Sequence, residues 1–366
     1  MRMENGRALT WVKSALAAFA IAWLPAALNA QVATDAPELV AGALPTKVEK
    51  ITIHSEAIAG NLEGNPADRE VFVVLPPSYA TEPERRYPVV YALHGFWIDA
   101  RQWMGEIHMP QTAEGAFAKG TPEMILVLPS SKTRHLGSQY ASGVTVGDFE
   151  RFVADELISY IDANYRTVSE RGSRGLVGHS MGGYGAARIG IKHADTFGAL
   201  YLMSPGGLKP GPMFKIEPAL AGRLHAIESV DELADLPNEA RGPLALSAAF
   251  APNPNNAPLY LDFPFDTEGN ARPEILVKFA ANAPLAFIDQ YIGGLRSYRA
   301  IGMDVGDEDW LLDHSKAMDA ALTEYGIDHE FAIYEGDHTN RLAFRMQDHV
   351  LPFFGANLIF PSETQD

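Results

Sequence analysis

Gly178-His-Ser-Met-Gly182 reads G-x-S-x-G. It falls between a short apolar run at 175–179 and a small-residue helical pattern that starts near Met181. A serine in so sharp a strand-to-helix turn has its hydroxyl held clear of the sheet edge. The turn leaves no room for large neighbours, hence Gly178 and Gly182, with Gly183 beside them. A helix N-terminus also favours negative charge developing nearby. Ser180 is the candidate nucleophile, and the chemistry is attack on a carbonyl. Three fixed positions recur by chance in about one chain of this length in ten. The strand before, the helix after and the order of partners carry the rest of the weight.

A serine hydroxyl needs a base. On such a turn the partners follow in the order acid, then histidine. Among 11 histidines, His338 lies in a polar turn, Tyr334-Glu-Gly-Asp-His338-Thr, after one strand-like run and before the last helical pattern. His314 and His329 flank other elements, and His349 sits inside the last helix. His179 adjoins Ser180 and should point into the protein. The acid should follow the run at 300–305, where Asp304, Asp307, Glu308 and Asp309 all qualify. Asp309 is favoured because it sits where the next helix begins, with Asp307 behind it. An acid there would fix the imidazole tautomer and stabilise the imidazolium. The oxyanion of an acyl-transfer intermediate needs backbone donors. The amide of Met181 supplies one, and that of Phe96, after the run ending His94-Gly95, supplies the other.

The elements that must position these groups are legible in outline. Residues 48–58 and 70–76 alternate and are separated by a turn-like stretch, which predicts an antiparallel hairpin at a sheet edge. The runs at 88–94, 124–129, 175–179 and 199–204 are continuously apolar, as in strands covered on both faces. Amphipathic patterns at 149–165 and 181–193 lie between them. Strand and helix then repeat at 300–305, 311–325, 330–334 and 341–354. This alternation predicts an α/β domain with a mostly parallel, doubly wound sheet, over about 47–360. Residues 206–298 break the rhythm. They are read as an insertion or cap over the sheet's C-terminal edge, with ordinary crossover helices as the alternative. The aromatic residues Phe250, Tyr260, Phe263 and Phe265 are expected either to pack together or to line an acyl pocket.

The chain has 366 residues, no cysteine and a formal net charge of −17. Absence of cysteine excludes disulfides, a cysteine nucleophile and thiolate zinc sites. The acidic balance argues against nucleic acid and anionic membranes as partners. Neither a metal nor a cofactor is implied: there is no H-E-x-x-H, and 304–313 lacks the spacing of a calcium loop. Arg2, Arg7 and Lys13 precede a small, apolar stretch from Ser14 to Leu28. Residues 1–30 therefore read as a cleaved export signal ending at Leu28-Asn29-Ala30, and 31–46 as a flexible leader. The apolar run is short for a membrane span and Pro25 interrupts it, so no stable membrane insertion is expected. The mature protein is expected to be periplasmic or secreted.

The series Leu75-Pro-Pro-Ser-Tyr79, Tyr87-Pro-Val-Val-Tyr-Ala-Leu-His-Gly95, Gly178-His-Ser-Met-Gly-Gly-Tyr-Gly185, Gly306-Asp-Glu-Asp309 and Gly336-Asp-His338 resembles the putative-esterase (esterase D-like) family. That family includes S-formylglutathione hydrolases, enterochelin and feruloyl esterases, and mycolyltransferases. The resemblance covers about 48–205 and 299–355. It implies the α/β-hydrolase fold and a carboxylic-ester hydrolase working through an acyl-enzyme. It maps the acid onto Asp309, the base onto His338 and the oxyanion amides onto Phe96 and Met181. The substrate implied is a small-molecule or polymer-linked ester. Residues 206–298 follow no family pattern, and Thr339-Asn-Arg replaces the aromatic residues usual after the histidine. An acyltransferase to a sugar or other alcohol has the same residue order. A peptidase and a non-catalytic binding protein on the same scaffold are weaker alternatives.

Overall fold

The computed structural model describes residues 34–211 and 215–361. The expected export signal lies outside the described residues. Eight strands form one sheet: β1 (Lys47–His54), β2 (Asp68–Leu75), β3 (Val89–Leu93), β4 (Ile125–Pro129), β5 (Arg174–His179), β6 (Ala199–Met203), β7 (Ala300–Gly306) and β8 (Glu330–Tyr334). Their order is β1-β2-β4-β3-β5-β6-β7-β8. β1 and β2 form the expected antiparallel hairpin, from Lys47 opposite Leu75 to His54 opposite Asp68. β2 meets β4 antiparallel, and the remaining pairs are all parallel.

The apolar runs become strands because both their faces are covered. In β3, Val89, Tyr91 and Leu93 enter one hydrophobic core, and Val90 and Ala92 enter the other. The first core is closed by Phe149, Phe152 and Leu157 of a helix broken by a wide π turn at Phe152–Glu156. Ala186 and Ile189 of the helix Met181–Lys192, and Met318 and Leu322 of the helix Leu312–Glu324, complete it. The second is closed by Trp103 and Met104, by Ala113, and by Leu342, Met346 and Phe354 near the C-terminus. β1 and β8 are the edge strands, and Ile333 of β8 is exposed.

Residues 34–46, expected as a leader, have no regular secondary structure but run against the body. The Thr46 amide donates to Glu114 Oε1 at 2.8 Å, Gln111 Nε2 to the Pro37 carbonyl at 2.6 Å, and the Asp35 amide to the Asn340 carbonyl at 3.0 Å. Between β6 and β7 the chain makes several short helices, among them Pro218–His225, Arg241–Phe250 and Pro273–Ala281. They enclose a third core containing Leu224, Leu244, Phe250, Phe263, Phe265 and Phe279. That core also takes in Tyr184 from the helix Met181–Lys192. Tyr184 Oη donates to the Asn282 carbonyl and Arg188 Nη1 to Asn282 Oδ1, each at 2.8 Å. Three of the four aromatics of the run pack together, Phe263 stacking on Phe265 and Phe250 meeting Tyr184 and Phe279, while half-buried Tyr260 stands outside that core.

Candidate active site

Ser180 occupies the junction between β5 and the helix Met181–Lys192, with φ 57° and ψ −113°. A positive φ is costly for a residue with a Cβ and persists only where its surroundings enforce it. Three bonds do so. The Ser180 amide donates to the Met203 carbonyl at 3.1 Å, and the Ser180 carbonyl accepts from Tyr184 at 2.9 Å and Gly206 at 3.1 Å. The glycines are required by distance. A Cβ on Gly182 would stand 2.0 Å from the Leu93 carbonyl oxygen, and one on Gly178 2.0 Å from that of Gly182. Ser180 Oγ has no hydrogen-bond partner among the described residues, which leaves it free for a reactant.

His338 follows β8 and is buried. Its Nδ1 lies 2.8 Å from Asp309 Oδ2. A carboxylate only accepts, so the ring proton sits on Nδ1 and Nε2 keeps its lone pair. Asp309 Oδ1 accepts from the Leu311 amide at 2.8 Å. Burial works to raise the Asp309 carboxyl, but the imidazole and that amide outweigh it and hold it below the usual carboxylate range. The other acids that spacing left open have different partners. Asp304 is buried against Arg345 Nε at 2.8 Å and Tyr201 Oη at 2.9 Å. Asp307 Oδ1 accepts from the Gly336 amide at 3.0 Å, and Glu308 is exposed. Among the other histidines, His314 Nδ1 accepts from the Leu208 amide and His329 Nε2 meets Asp319.

The His338 loop is fixed through its backbone to His179, the neighbour of Ser180, while no hydrogen bond joins His338 to Ser180 Oγ among the described residues. His179 Nε2 donates to the His338 carbonyl at 2.9 Å, and the two rings are 4.6 Å apart. Asp307 ties down the other side of the same loop through Gly336. On the opposite flank, Gly95 approaches so closely that a Cβ there would lie 3.5 Å from Ser180 Cβ. Beyond it, Phe96 and Met181 converge over Gly137, where a Cβ would be 2.5 Å from Phe96 Cδ2 and 2.7 Å from Met181 Sδ. Neither backbone amide has an acceptor among the described residues, the state expected of donors kept for an oxyanion.

Two buried histidines in this arrangement escaped sequence reasoning as positioning groups. His94 Nδ1 donates to the Gly95 carbonyl at 2.8 Å, and its Nε2 accepts from the Ser131 amide at 2.8 Å. It thereby shapes the Gly95-Phe96 loop. Burial pushes its pKa down to about 4. His179 is pushed to about 3, by burial and then by the neighbouring His338. Both are neutral hydrogen-bonding struts. Among the described residues no group of three or more acidic or histidine side chains is placed to hold a metal ion.

The putative esterase family matches residues 64–347. The chain belongs to this family. Within it, this esterase-family chain is 27% identical over 167 residues to an endo-1,4-beta-xylanase/feruloyl esterase of Xylanibacter ruminicola. That match covers 44% of this chain and 22% of the relative. It is 30% identical over 131 residues to an esterase of Mycobacterium tuberculosis, covering 35% and 27%. The match thus spans about a quarter of each curated relative. Among solved structures, a ferulic acid esterase superposes with a TM-score of 0.61 at 24% identity, over 87% of this chain and all of that one. An S-formylglutathione hydrolase of Staphylococcus aureus gives 0.54 at 15%, over 85% and 99%. These likenesses establish the α/β-hydrolase fold.

Proposed function

We propose that this chain is an exported serine carboxylic-ester hydrolase that works through an acyl-enzyme. The observation that carries the reading is the buried 2.8 Å contact between His338 Nδ1 and Asp309 Oδ2, on a loop tied to His179, the residue beside Ser180. His338 Nε2 takes the Ser180 proton as Oγ attacks the ester carbonyl. The oxyanion gathers against the Phe96 and Met181 amides. The imidazolium, stabilised by Asp309, returns the proton to the departing alcohol. Water, activated by the same nitrogen, then releases the acid and regenerates Ser180. No cofactor enters any step.

Two supports are independent of that geometry: membership of the putative esterase family and relatives named as esterases. The name of the Xylanibacter relative makes feruloyl esters the first substrates to try. Export rests on the basic and apolar pattern of residues 1–30. Among the described residues, no helix is long and apolar enough to cross a membrane.

The test is Ser180→Ala. The variant should fold, fail to react with a fluorophosphonate probe and lose turnover of p-nitrophenyl esters. Comparable turnover in that variant rejects the reading.

A further inference from the structure

The two candidate oxyanion donors belong to different elements. The Met181 amide opens the nucleophile's helix, and the Phe96 amide lies in the loop after β3. Tyr140, which is fully buried, touches both elements. Its Oη donates to the His94 carbonyl at 3.0 Å. On its other side the ring lies against Gly185, one turn into the nucleophile's helix, where a Cβ would stand 2.3 Å from Tyr140 Cδ2. Gly185 closes the series Gly178-His-Ser-Met-Gly-Gly-Tyr-Gly185, and the mechanism gives it no other task. Tyr140 has a φ of 46°, and Leu136 and Gln139 just before it are left-handed too, at 73° and 53°. Residues other than glycine keep such angles only where their surroundings impose them. Burial raises the pKa of the Tyr140 phenol, so it keeps the proton that it donates.

We propose that Tyr140 is a positioning residue for the oxyanion hole: wedged between Gly185 and the His94 carbonyl, it fixes the Phe96 amide relative to that of Met181. The inference rests on the proposed ester hydrolysis and deepens it. A trans peptide points its N–H opposite its C=O, so holding a carbonyl aims the amide of the next residue. Three consecutive peptide planes are held here. Tyr140 Oη holds the His94 carbonyl, the His94 ring holds the Gly95 carbonyl at 2.8 Å, and the Leu136 carbonyl holds the Trp97 amide at 3.0 Å. The Phe96 N–H belongs to the middle plane and is left without an acceptor among the described residues. Tyr140 braces the first plane against the helix that carries Ser180 and Met181. Without its hydroxyl that plane is free to tilt, and the spacing of the two donors is no longer enforced. Preorganised donors work because they are fixed before charge develops on the oxygen. A misaimed donor therefore costs transition-state binding and leaves substrate binding alone.

Tyr140→Phe keeps the ring and removes only the hydroxyl. On the best of a p-nitrophenyl ester series, kcat should fall about tenfold, short of the roughly 10²–10³ that follows outright loss of a donor. KM should stay within about twofold. Affinity for a trifluoromethyl ketone, whose carbonyl Ser180 Oγ attacks to leave an oxyanion in the hole, should fall by the same factor as kcat. The pH midpoint of kcat/KM should not move, because His338 and Asp309 are untouched. Tyr298→Phe is the control. It deletes a phenol that donates to the Gly190 carbonyl at 2.8 Å, near the far end of the same helix, and kcat should stay within about twofold. Should Tyr140→Phe fail to fold, Gly185→Ala, which displaces the ring from the helix side, takes its place with the same expectations. A folded variant with wild-type kcat overturns the inference. So does a rise in KM at constant kcat, a shifted pH midpoint, or a ketone affinity that does not follow kcat. Failure of the wild-type protein to turn over any p-nitrophenyl ester would instead overturn the hydrolase reading itself, and this inference with it.

Discussion

Replacing Asp309 by asparagine changes one atom and should nearly silence the enzyme. Asp309 Oδ1 accepts from the Leu311 amide at 2.8 Å while Oδ2 faces His338 Nδ1 at 2.8 Å. In Asp309→Asn the side-chain oxygen must stay with Leu311, because an NH2 group cannot accept from a backbone N–H. The NH2 is then turned towards His338. Nδ1 has to accept, its proton moves to Nε2, and the nitrogen that should take the Ser180 proton is blocked. The imidazolium also loses its counter-charge. In serine-protease triads the equivalent exchange costs about 10⁴ in rate, and a similar loss, about 5 kcal/mol of barrier, is expected here. The amides of Phe96 and Met181 remain, so a residual rate should persist. Asp307→Asn is the control: its Oδ1, the atom that accepts from Gly336, survives the change, and the rate should fall less than about threefold. The assay is kcat/KM on a short-chain p-nitrophenyl ester, with thermal melts to show that both variants are folded. A folded Asp309→Asn protein that loses less than about tenfold refutes the tautomer argument. So does an Asp307→Asn protein that loses as much.

Acid should weaken the fold through two buried histidines. His94 and His179 have folded-state pKa values of about 4 and about 3, below the unfolded value of about 6.5. Their full contribution is present above about pH 6.5 and is lost as pH falls towards the folded values, because the unfolded chain takes up the protons first. Each histidine costs up to about 1.4 kcal/mol per unit, or roughly 4 kcal/mol for the pair at pH 5. The depressed Asp309 works in the same direction at still lower pH. A urea midpoint that does not drop between pH 7.5 and pH 5 contradicts this. For the N-terminus, protein recovered from outside the cytoplasm should begin at or close to Gln31 by intact mass; material that retains Met1 rules out cleavage.

What was legible in the sequence was whatever short range decides. The elbow at Ser180 announces itself because the constraint is local: glycines two positions either side are demanded by carbonyls that a Cβ would strike. Buried parallel strands announce themselves as unbroken apolar runs, since both faces meet helices. The acid was harder. Asp304, Asp307, Glu308 and Asp309 lie within six residues, and spacing alone does not choose among them. The chosen carboxylate is set by how the turn closes after β7, where the Asp309 amide reaches back to the Gly306 carbonyl. His94 and His179 could not be read at all as struts. Their partners Ser131 and His338 lie 37 and 159 residues away, and a buried histidine has no local signature. Residues 206–298 gave no rhythm because they form short helices around a third core that they share with Tyr184.

The sharing of Tyr184 between that core and the nucleophile's helix limits how the insertion can move. To swing aside as a hinged cover, the segment 206–298 would have to peel Phe250 off Tyr184 and break the bonds that Tyr184 and Arg188 donate to Asn282. Those groups sit one and two turns beyond Ser180, so any such excursion would tug at the bend that aims its hydroxyl. Near Tyr184 the segment 206–298 is a fixed wall, and any part of it that moves has to lie away from that seam.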